Sequence, residues 1–329
     1  MGNLECMEAL KISDHYKSDL GGPNRGRGIA SGYWGNAGMP ASCSIAINND
    51  GTVSLAEGSP DIGGSRAAIA MMAAEALGIA AEDVHPSIKD TDSVGYNGLT
   101  AGSSTTLRNG WAVFEVTKQA IELMKARAAR LWETEPENVD FADGVFFSKA
   151  EKELKLKFKE LAGKLMETGG PISVAASVAP RGAGPSFTTH MVDVEVDPET
   201  GKVDVLRYTA AQDVGTMIHP DYVEGQVQGG AAQGIGWALN EEYFMNDEGT
   251  MTNSSLLDYR MPTSLDLPMI DTVIVEVANP GHPFGVRGVG EANIVPPTPT
   301  IANAIYDATG KRMTELPMSP GAIQSASPE

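Results

Sequence analysis

Cysteine is almost missing from this chain: of 329 residues, only Cys6 and Cys43 carry a thiol. Two distant cysteines cannot ligate an iron–sulfur cluster, build a zinc knuckle or supply a disulfide framework. Histidine is thin as well. His15, His85, His190, His219 and His282 are scattered without the short spacings of a metal site, so each reads as a structural or surface side chain. Cations are outnumbered, 24 Lys and Arg against 43 Asp and Glu, for a net charge of −19. That balance excludes the basic footprint a nucleic-acid partner requires. The lysine-rich run Lys152-Glu-Leu-Lys-Leu-Lys-Phe-Lys159 is broken by acidic and apolar residues and reads as a solvated face. No apolar stretch reaches the ~18 residues of a membrane span and no signal peptide opens the chain, so a cytoplasmic setting is expected. Also absent are a Walker-type Gly-Lys-Thr and a strand–GxGxxG–helix unit, which disfavours nucleotide hydrolysis and Rossmann-type dinucleotide binding.

What the chain has is apolar mass and glycine. At 42% hydrophobic it can bury a substantial core, enough for two domains of ordinary size. Residues 1–24 lack strong periodicity and read as an extended N-terminal arm. A first lobe is expected over 25–170. Within it, Asn48-Asn49-Asp50-Gly51 signals a hairpin, and helices are expected over 66–78, 107–132 and 155–166. The Pro-, Gly- and Ala-rich stretch 171–185 marks a boundary, and the second lobe covers 171–329. It opens with strands at 187–197 and 202–210, followed by a helix over 221–240, a strand at 271–277 and a closing helix over 299–309. Strands and helices mix without regular alternation, which makes the class α+β: two lobes of mixed sheets packed with helices.

Three segments carry chemistry. Gly285-Val-Arg-Gly-Val-Gly-Glu291 places three glycines before a carboxylate, and such a run marks a required backbone geometry or simply a surface turn. Gly225-Gln-Val-Gln-Gly-Gly-Ala-Ala-Gln-Gly-Ile-Gly236 falls where a helix is expected, yet each glycine there costs roughly 1 kcal/mol against alanine. Either tight packing on a neighbouring backbone or a bound ligand must compensate, and composition does not choose between them. Gln226 and Gln233 lie two turns apart on one face, with amides suited to a heterocycle edge. Leu99-Thr-Ala-Gly-Ser-Ser-Thr-Thr106 puts four consecutive hydroxyls at a helix start. Capping needs only one hydroxyl, so the excess favours an anion or another ligand.

Taken in order, these segments resemble the molybdenum hydroxylases, the family of xanthine dehydrogenase, aldehyde oxidase and carbon monoxide dehydrogenase. The matching stretches are Asp61-Ile-Gly, Thr100-Ala-Gly-Ser-Ser-Thr-Thr106, Asp213-Val-Gly, Gly225-Gln-Val-Gln-Gly, Gln233-Gly-Ile-Gly236, Leu257-Asp-Tyr-Arg-Met-Pro262 and Gly288-Val-Gly-Glu291. The resemblance runs from about residue 25 to the C-terminus and looks like the C-terminal half of the molybdopterin-binding large subunit. Because the chain starts at its own Met1, a split large subunit is implied, with a second molybdopterin chain supplying the N-terminal half.

The resemblance implies a catalytic role for Glu291 as the general base that deprotonates the water-derived oxygen attacking an electron-poor carbon beside a ring nitrogen. It implies that Thr100, Ala101, Gly102, Ser103, Ser104, Thr105 and Thr106 hold the cofactor, with Gln226 and Gly288. The cofactor is molybdenum–molybdopterin, expected in its cytosine dinucleotide form, the metal held by the pterin dithiolene without a direct protein ligand. Electrons would leave through [2Fe–2S] and FAD in separate Fe-S and FAD subunits. One departure stands out: relatives carry Gln where Asp61-Ile-Gly-Gly-Ser has glycine, so no side-chain role is assigned there. A non-catalytic cofactor-binding or scaffold subunit is the competing reading, as is the same chemistry on a purine, an aldehyde or an aromatic thioester.

Overall fold

The computed structural model describes residues 2–36, 38–180 and 184–328. In chain order its principal elements begin with helix α1 (Gly2–Ile12), strand β1 (Arg25–Trp34) and strands β2 (Ala41–Ile47) and β3 (Val53–Glu57). Helix α2 (Ser65–Leu77), strand β4 (Val84–Ile88), helix α3 (Thr105–Leu131) and strand β5 (Ile172–Val178) follow. Strands β6 (Ser186–Val196) and β7 (Val203–Asp213), helix α4 (Pro220–Leu239), strand β8 (Ile270–Val275) and helix α5 (Pro297–Thr309) complete the set. Helices and strands mix without regular alternation, and the class is α+β.

The chain divides into two units. One comprises Met1–Gly35, Pro185–Ala278 and Arg287–Glu329; the other comprises Asn36–Gly184 and Asn279–Val286. One change of unit thus falls between Gly184 and Pro185, at the end of the boundary expected over 171–185. Residues 172–178 are not linker: they form β5 and complete a sheet. Strand β1 also pairs outside the lobe expected for it, because its partner is β6.

The first unit is built on a four-stranded sheet in the order β1-β6-β7-β8. Strands β1, β6 and β7 are antiparallel, with a register shift at Val205/Arg207, and β8 runs parallel to β7. Strand β6 is buried along nearly its whole length, as expected of a central strand covered on both faces. On one side lies a core of Val192, Val194, Tyr208, Val227, Ala231, Ile235, Ile301 and Ile305, contributed by the sheet with α4 and α5. On the other side, α1 presses Cys6 and Leu10 against Met191 and Ala211. Residues 2–12 and 14–17 are therefore helical, not the extended arm read from their weak periodicity. Two apolar residues four apart suffice to seat a helix on a sheet, too weak a pattern to stand out in eleven residues. The seam between β1 and α5 depends on glycine: a Cβ on Gly28 would lie 1.9 Å from the carbonyl oxygen of Thr300.

The second unit carries a four-stranded sheet in the order β4-β3-β2-β5. The β2–β3 hairpin turns at Asn48–Gly51, with Gly51 at φ +83°, as the Asn-Asp-Gly signal requires. Helix α2 ends on Gly78 in the left-handed conformation and connects β3 to the parallel β4. A smaller three-stranded sheet uses Val139–Ala142, Val145–Ser148 and Lys155–Lys157. The helix expected over 155–166 resolves into that last strand followed by two short helices, Phe158–Ala162 and Leu165–Thr168.

Candidate functional site

The hydroxyl-rich segment belongs to the second unit and leads into α3. Gly102 and Ser103 both take positive φ, +67° and +54°, in the turn that precedes the helix. The Ser104 hydroxyl does not cap the helix. Ser104 occupies the cap position in helical conformation, and its Oγ donates to the carbonyl of Ala101 at 2.8 Å. The hydroxyls of Thr100 and Thr105 are buried without a hydrogen-bond partner among the described residues. Orphaned hydroxyls of this kind cost free energy unless a ligand or water completes them. Ala101, Gly102 and Thr106 are partly buried along the same stretch.

Directly behind that segment lies a polar cluster in the same unit. The guanidinium of Arg108, fully buried, donates to the carbonyls of Leu99 (2.9 Å) and Gly98 (2.6 Å) and to Ser59 Oγ (3.2 Å). Ser59 N–H donates to Glu57 Oε2, and Asn109 Nδ2 bridges Glu57 Oε2 and Ser59 Oγ. Burial pushes the Glu57 carboxyl above its ordinary range and lowers the Arg108 guanidinium.

The glycine–glutamate turn belongs to the first unit from Arg287 onward, and its carbonyls are held from the sheet. Gly288 O accepts from Ser186 Oγ and, at 3.4 Å, from Gln212 Nε2. Val289 O accepts from Gln212 Nε2 and from Asn293 Nδ2 at 3.2 Å. Asn293 Nδ2 also donates to Gln212 Oε1, which leaves Asn293 Oδ1 as acceptor for His190 Nε2 at 3.2 Å. Tyr208 then donates to Nδ1 of His190 at 2.8 Å, a set of roles only the neutral Nε2–H tautomer satisfies. Burial lowers the His190 pKa to about 3, so the ring is neutral at physiological pH. Ser186, His190, Tyr208, Gln212 and Asn293 are all at 0% exposure.

Arg287 fastens the start of the turn. Its Nη1 donates to Pro185 O (2.7 Å), its Nε to Val277 O (3.0 Å), and Nε lies 3.2 Å from Asp213 Oδ2 without hydrogen-bond alignment. Burial raises the Asp213 carboxyl, which also accepts from the N–H groups of Gly215 and Val277. Glu291 is partly buried and immediately precedes a short 3-10 turn, Ala292–Ile294.

Gln226, on α4, meets this turn: a Cβ on Gly290 would lie 2.9 Å from Gln226 Oε1. The glycines of α4 divide between the two readings that composition left open. At Gly230 and Gly234 a Cβ would sit 2.8 Å from Asn293 Cβ and 2.5 Å from Pro297 Cγ, so close packing explains them. At Gly225 and Gly229 nothing lies within 4 Å, so packing does not. Gln233 is exposed.

Thus Gln226, Gly288 and Glu291 are gathered in the first unit, while Thr100 to Thr106 share the second with Arg108 and Glu57. Sequence reading missed Ser186, His190, Gln212, Asn293 and Arg108. A signal existed for two of them, since Ser186, Thr188 and His190 recur at period two and so share one face of a strand. A cavity of about 320 Å³ bounded by Lys202, Ile235, Leu239, Pro262, Leu265 and Met318 involves none of the expected site residues.

Fold and turns together describe an α+β chain in which a glycine-rich turn is anchored by a buried polar network and the Thr100 and Thr105 hydroxyls lack a partner among the described residues. The family model of the molybdopterin cofactor-binding domain matches residues 8–268, and the chain belongs to this family, that of the xanthine dehydrogenase, aldehyde oxidase and CO dehydrogenase molybdenum-binding subunits. It is 32% identical to the xanthine dehydrogenase molybdenum-binding subunit of Escherichia coli O157:H7, over 97% of this chain and 45% of that one. It is 27% identical to the 6-hydroxypseudooxynicotine dehydrogenase complex subunit gamma of Paenarthrobacter nicotinovorans, over 98% and 42%. Among solved structures, quinoline 2-oxidoreductase of Pseudomonas putida shares the fold with a TM-score of 0.84, 24% identity and coverage of 99% and 44%. The chain therefore spans less than half the length of these relatives.

Proposed function

We propose that this chain is a molybdopterin-binding part of a molybdenum hydroxylase, with Glu291 as its general base. The observation that carries the reading is the immobilisation of residues 288–291. Two successive carbonyls are held by side chains buried to 0% exposure, leaving the carboxylate at the end of the anchored segment. A general base needs such a fixed position before its pKa matters.

The residues present fit the cofactor. Taken unit by unit, orphaned hydroxyls at Thr100 and Thr105 with the positive-φ turn at Gly102 and Ser103 suit anionic oxygens, and, in the other unit, open space over Gly225 and Gly229 suits close approach of a ligand edge. In this proposal Thr100, Ala101, Gly102, Ser103, Ser104, Thr105 and Thr106 hold the cofactor through hydroxyls and backbone N–H groups, Gln226 supplies its amide, and Gly288 allows close backbone approach. When bound, the group supplies the redox chemistry and activates the oxygen. Glu291 accepts the proton of that oxygen as it attacks the substrate carbon.

For substrate we favour an electron-poor carbon beside a ring nitrogen, with nicotinate as the first candidate and the chain as the medium molybdopterin subunit of a nicotinate dehydrogenase. Support comes from relatives named for nitrogen heterocycles, including the nicotine 6-hydroxylase large subunit of Paenarthrobacter nicotinovorans, 27% identical over 87% of this chain. For partners we favour a second molybdopterin chain together with Fe-S and FAD subunits, the cofactor being the cytosine dinucleotide form and the setting cytoplasmic. Leu257 and Leu265, 94% and 96% exposed in a segment that also bares Leu256 and Met269, are apolar side chains that a partner chain would cover.

The test is elemental and pterin analysis of the complex purified through this chain, followed by turnover on nicotinate, hypoxanthine and an aromatic aldehyde. Molybdenum with nicotinate turnover supports the reading in full. Turnover on hypoxanthine or the aldehyde alone replaces the substrate, and a complex without molybdenum removes the function.

A further inference from the structure

Arg108 is the largest fully buried side chain described, and among the described residues it forms no ion pair. Its charge is met only at one remove, by the Glu57 carboxylate beyond Ser59; a buried cation held this way is costly, and an apolar side chain of similar volume would fill the same space. Its hydrogen bonds say what it does there. The planar fork takes two successive carbonyls, Gly98 O and Leu99 O, at 2.6 and 2.9 Å, and also donates to Ser59 Oγ, which Glu57 and Asn109 hold in place. A trans peptide is planar, with C=O and N–H on opposite sides. Fixing those two carbonyls toward Arg108 therefore aims the N–H groups of Leu99 and Thr100 away from it. Those groups open the segment whose Thr100 and Thr105 hydroxyls lack partners.

We propose that Arg108 is a positioning residue for Leu99–Thr106: it locks two peptide planes so that their N–H groups face the ligand, and its buried charge favours an anionic one. The proposal rests on the cofactor assignment above, the segment being the one assigned there to the cofactor. Arg108 touches no reacting atom; it acts through the backbone it holds and through the charge it places behind that backbone.

Two substitutions separate the charge from the packing, Arg108→Lys and Arg108→Gln, each shortening the fork to a single head group. Molybdenum and pterin per chain are measured in the purified complex, alongside its melting temperature. Both variants are expected to melt lower by a similar amount. Arg108→Lys is expected to keep cofactor within about threefold of wild type, whereas Arg108→Gln loses on the order of tenfold, the value of a charge-assisted contact. Equal loss in the two variants, or loss in neither, overturns the proposal. Should Arg108→Gln not fold, amide hydrogen exchange of the full chain compares Arg108→Lys with wild type. Faster exchange confined to residues 98–104, with Ala41–Ile47 unchanged, supports the positioning role; uniform acceleration or none removes it. A wild-type complex devoid of molybdenum would refute the cofactor assignment, and the exchange comparison would still decide whether Arg108 orders the segment.

Discussion

Asn293 and Gln212 meet amide to amide at 0% exposure, Nδ2 of the one donating to Oε1 of the other, and between them they hold the carbonyls of Gly288 and Val289. Each amide is oriented by its neighbours, since His190 and Val289 together permit only one flip of Asn293. Removing Asn293 leaves His190 and Gln212 with unmet polar atoms in a closed interior. Asn293→Leu is therefore expected to cost roughly 2–5 kcal/mol, more than its change in apolar area would suggest. Urea unfolding measures this, and a loss below about 1 kcal/mol would show that the network is not structural.

Glycine substitutions distinguish a backbone contact from a side-chain contact. At Gly28 an added methyl meets the Thr300 carbonyl at 1.9 Å, and neither strand nor helix can yield cheaply. Gly28→Ala is expected to destabilise by about 3 kcal/mol or more. At Gly290 the methyl meets only the end of Gln226, at 2.9 Å, which can rotate away. Gly290→Ala should cost under about 1 kcal/mol yet lower cofactor content, because Gln226 has moved. Equal melting temperatures for the two variants would contradict the packing described.

Acid stability follows from the buried ring. The pKa of His190 is about 3 in the fold against an ordinary value near 6.5 unfolded, so between those values the unfolded chain binds the extra proton. Stability from this group is complete above the unfolded value and is lost as pH falls toward 3, with a slope of about 1.4 kcal/mol per pH unit. Asp193, lowered to about 2 with Arg27 and His15 beside it, adds a loss of the same sign below its ordinary range. Glu57 and Asp213, both raised by burial, bind protons more readily in the fold and oppose it within their own intervals. The comparison that isolates the imidazole is unfolding free energy from pH 7 to 4 for wild type and His190→Gln. The wild-type curve should fall more steeply, and parallel curves would rule out the neutral buried ring.

Both thiols are closed off. Burial is the main cause raising Cys6 and Cys43 to about 12, with Asp213 and Glu57 adding to it. A maleimide at pH 7.5 should label neither until the chain unfolds, and labelling should track the unfolding rate. Rapid labelling of native protein would refute the burial of α1 or of β2.

Much of this fold is legible in the sequence because its signals are local. Asn48–Gly51 turns a hairpin, Gly78 and Gly310 end helices in the left-handed conformation, and the alanine-rich run 66–78 can only be a buried helix. Illegible features depend on partners far away in the chain. Residues 2–12 look too polar for a packed helix until the sheet face that receives Cys6 and Leu10 is known. Nothing local tells that β1 pairs with a strand more than 150 residues later. For the site, glycine and hydroxyl density pointed to 99–106, 225–236 and 285–291. The residues that hold those loops, Arg108, Gln212 and Asn293, are single polar side chains whose role lies in their burial.

The most direct measurement is steady-state turnover of the purified complex carrying Glu291→Gln, with molybdenum per chain determined on the same preparation. Gln keeps the shape and loses the base, so turnover should fall by roughly 10²–10⁴ while molybdenum stays at the wild-type level. Turnover within a few-fold of wild type at full molybdenum occupancy would contradict the account.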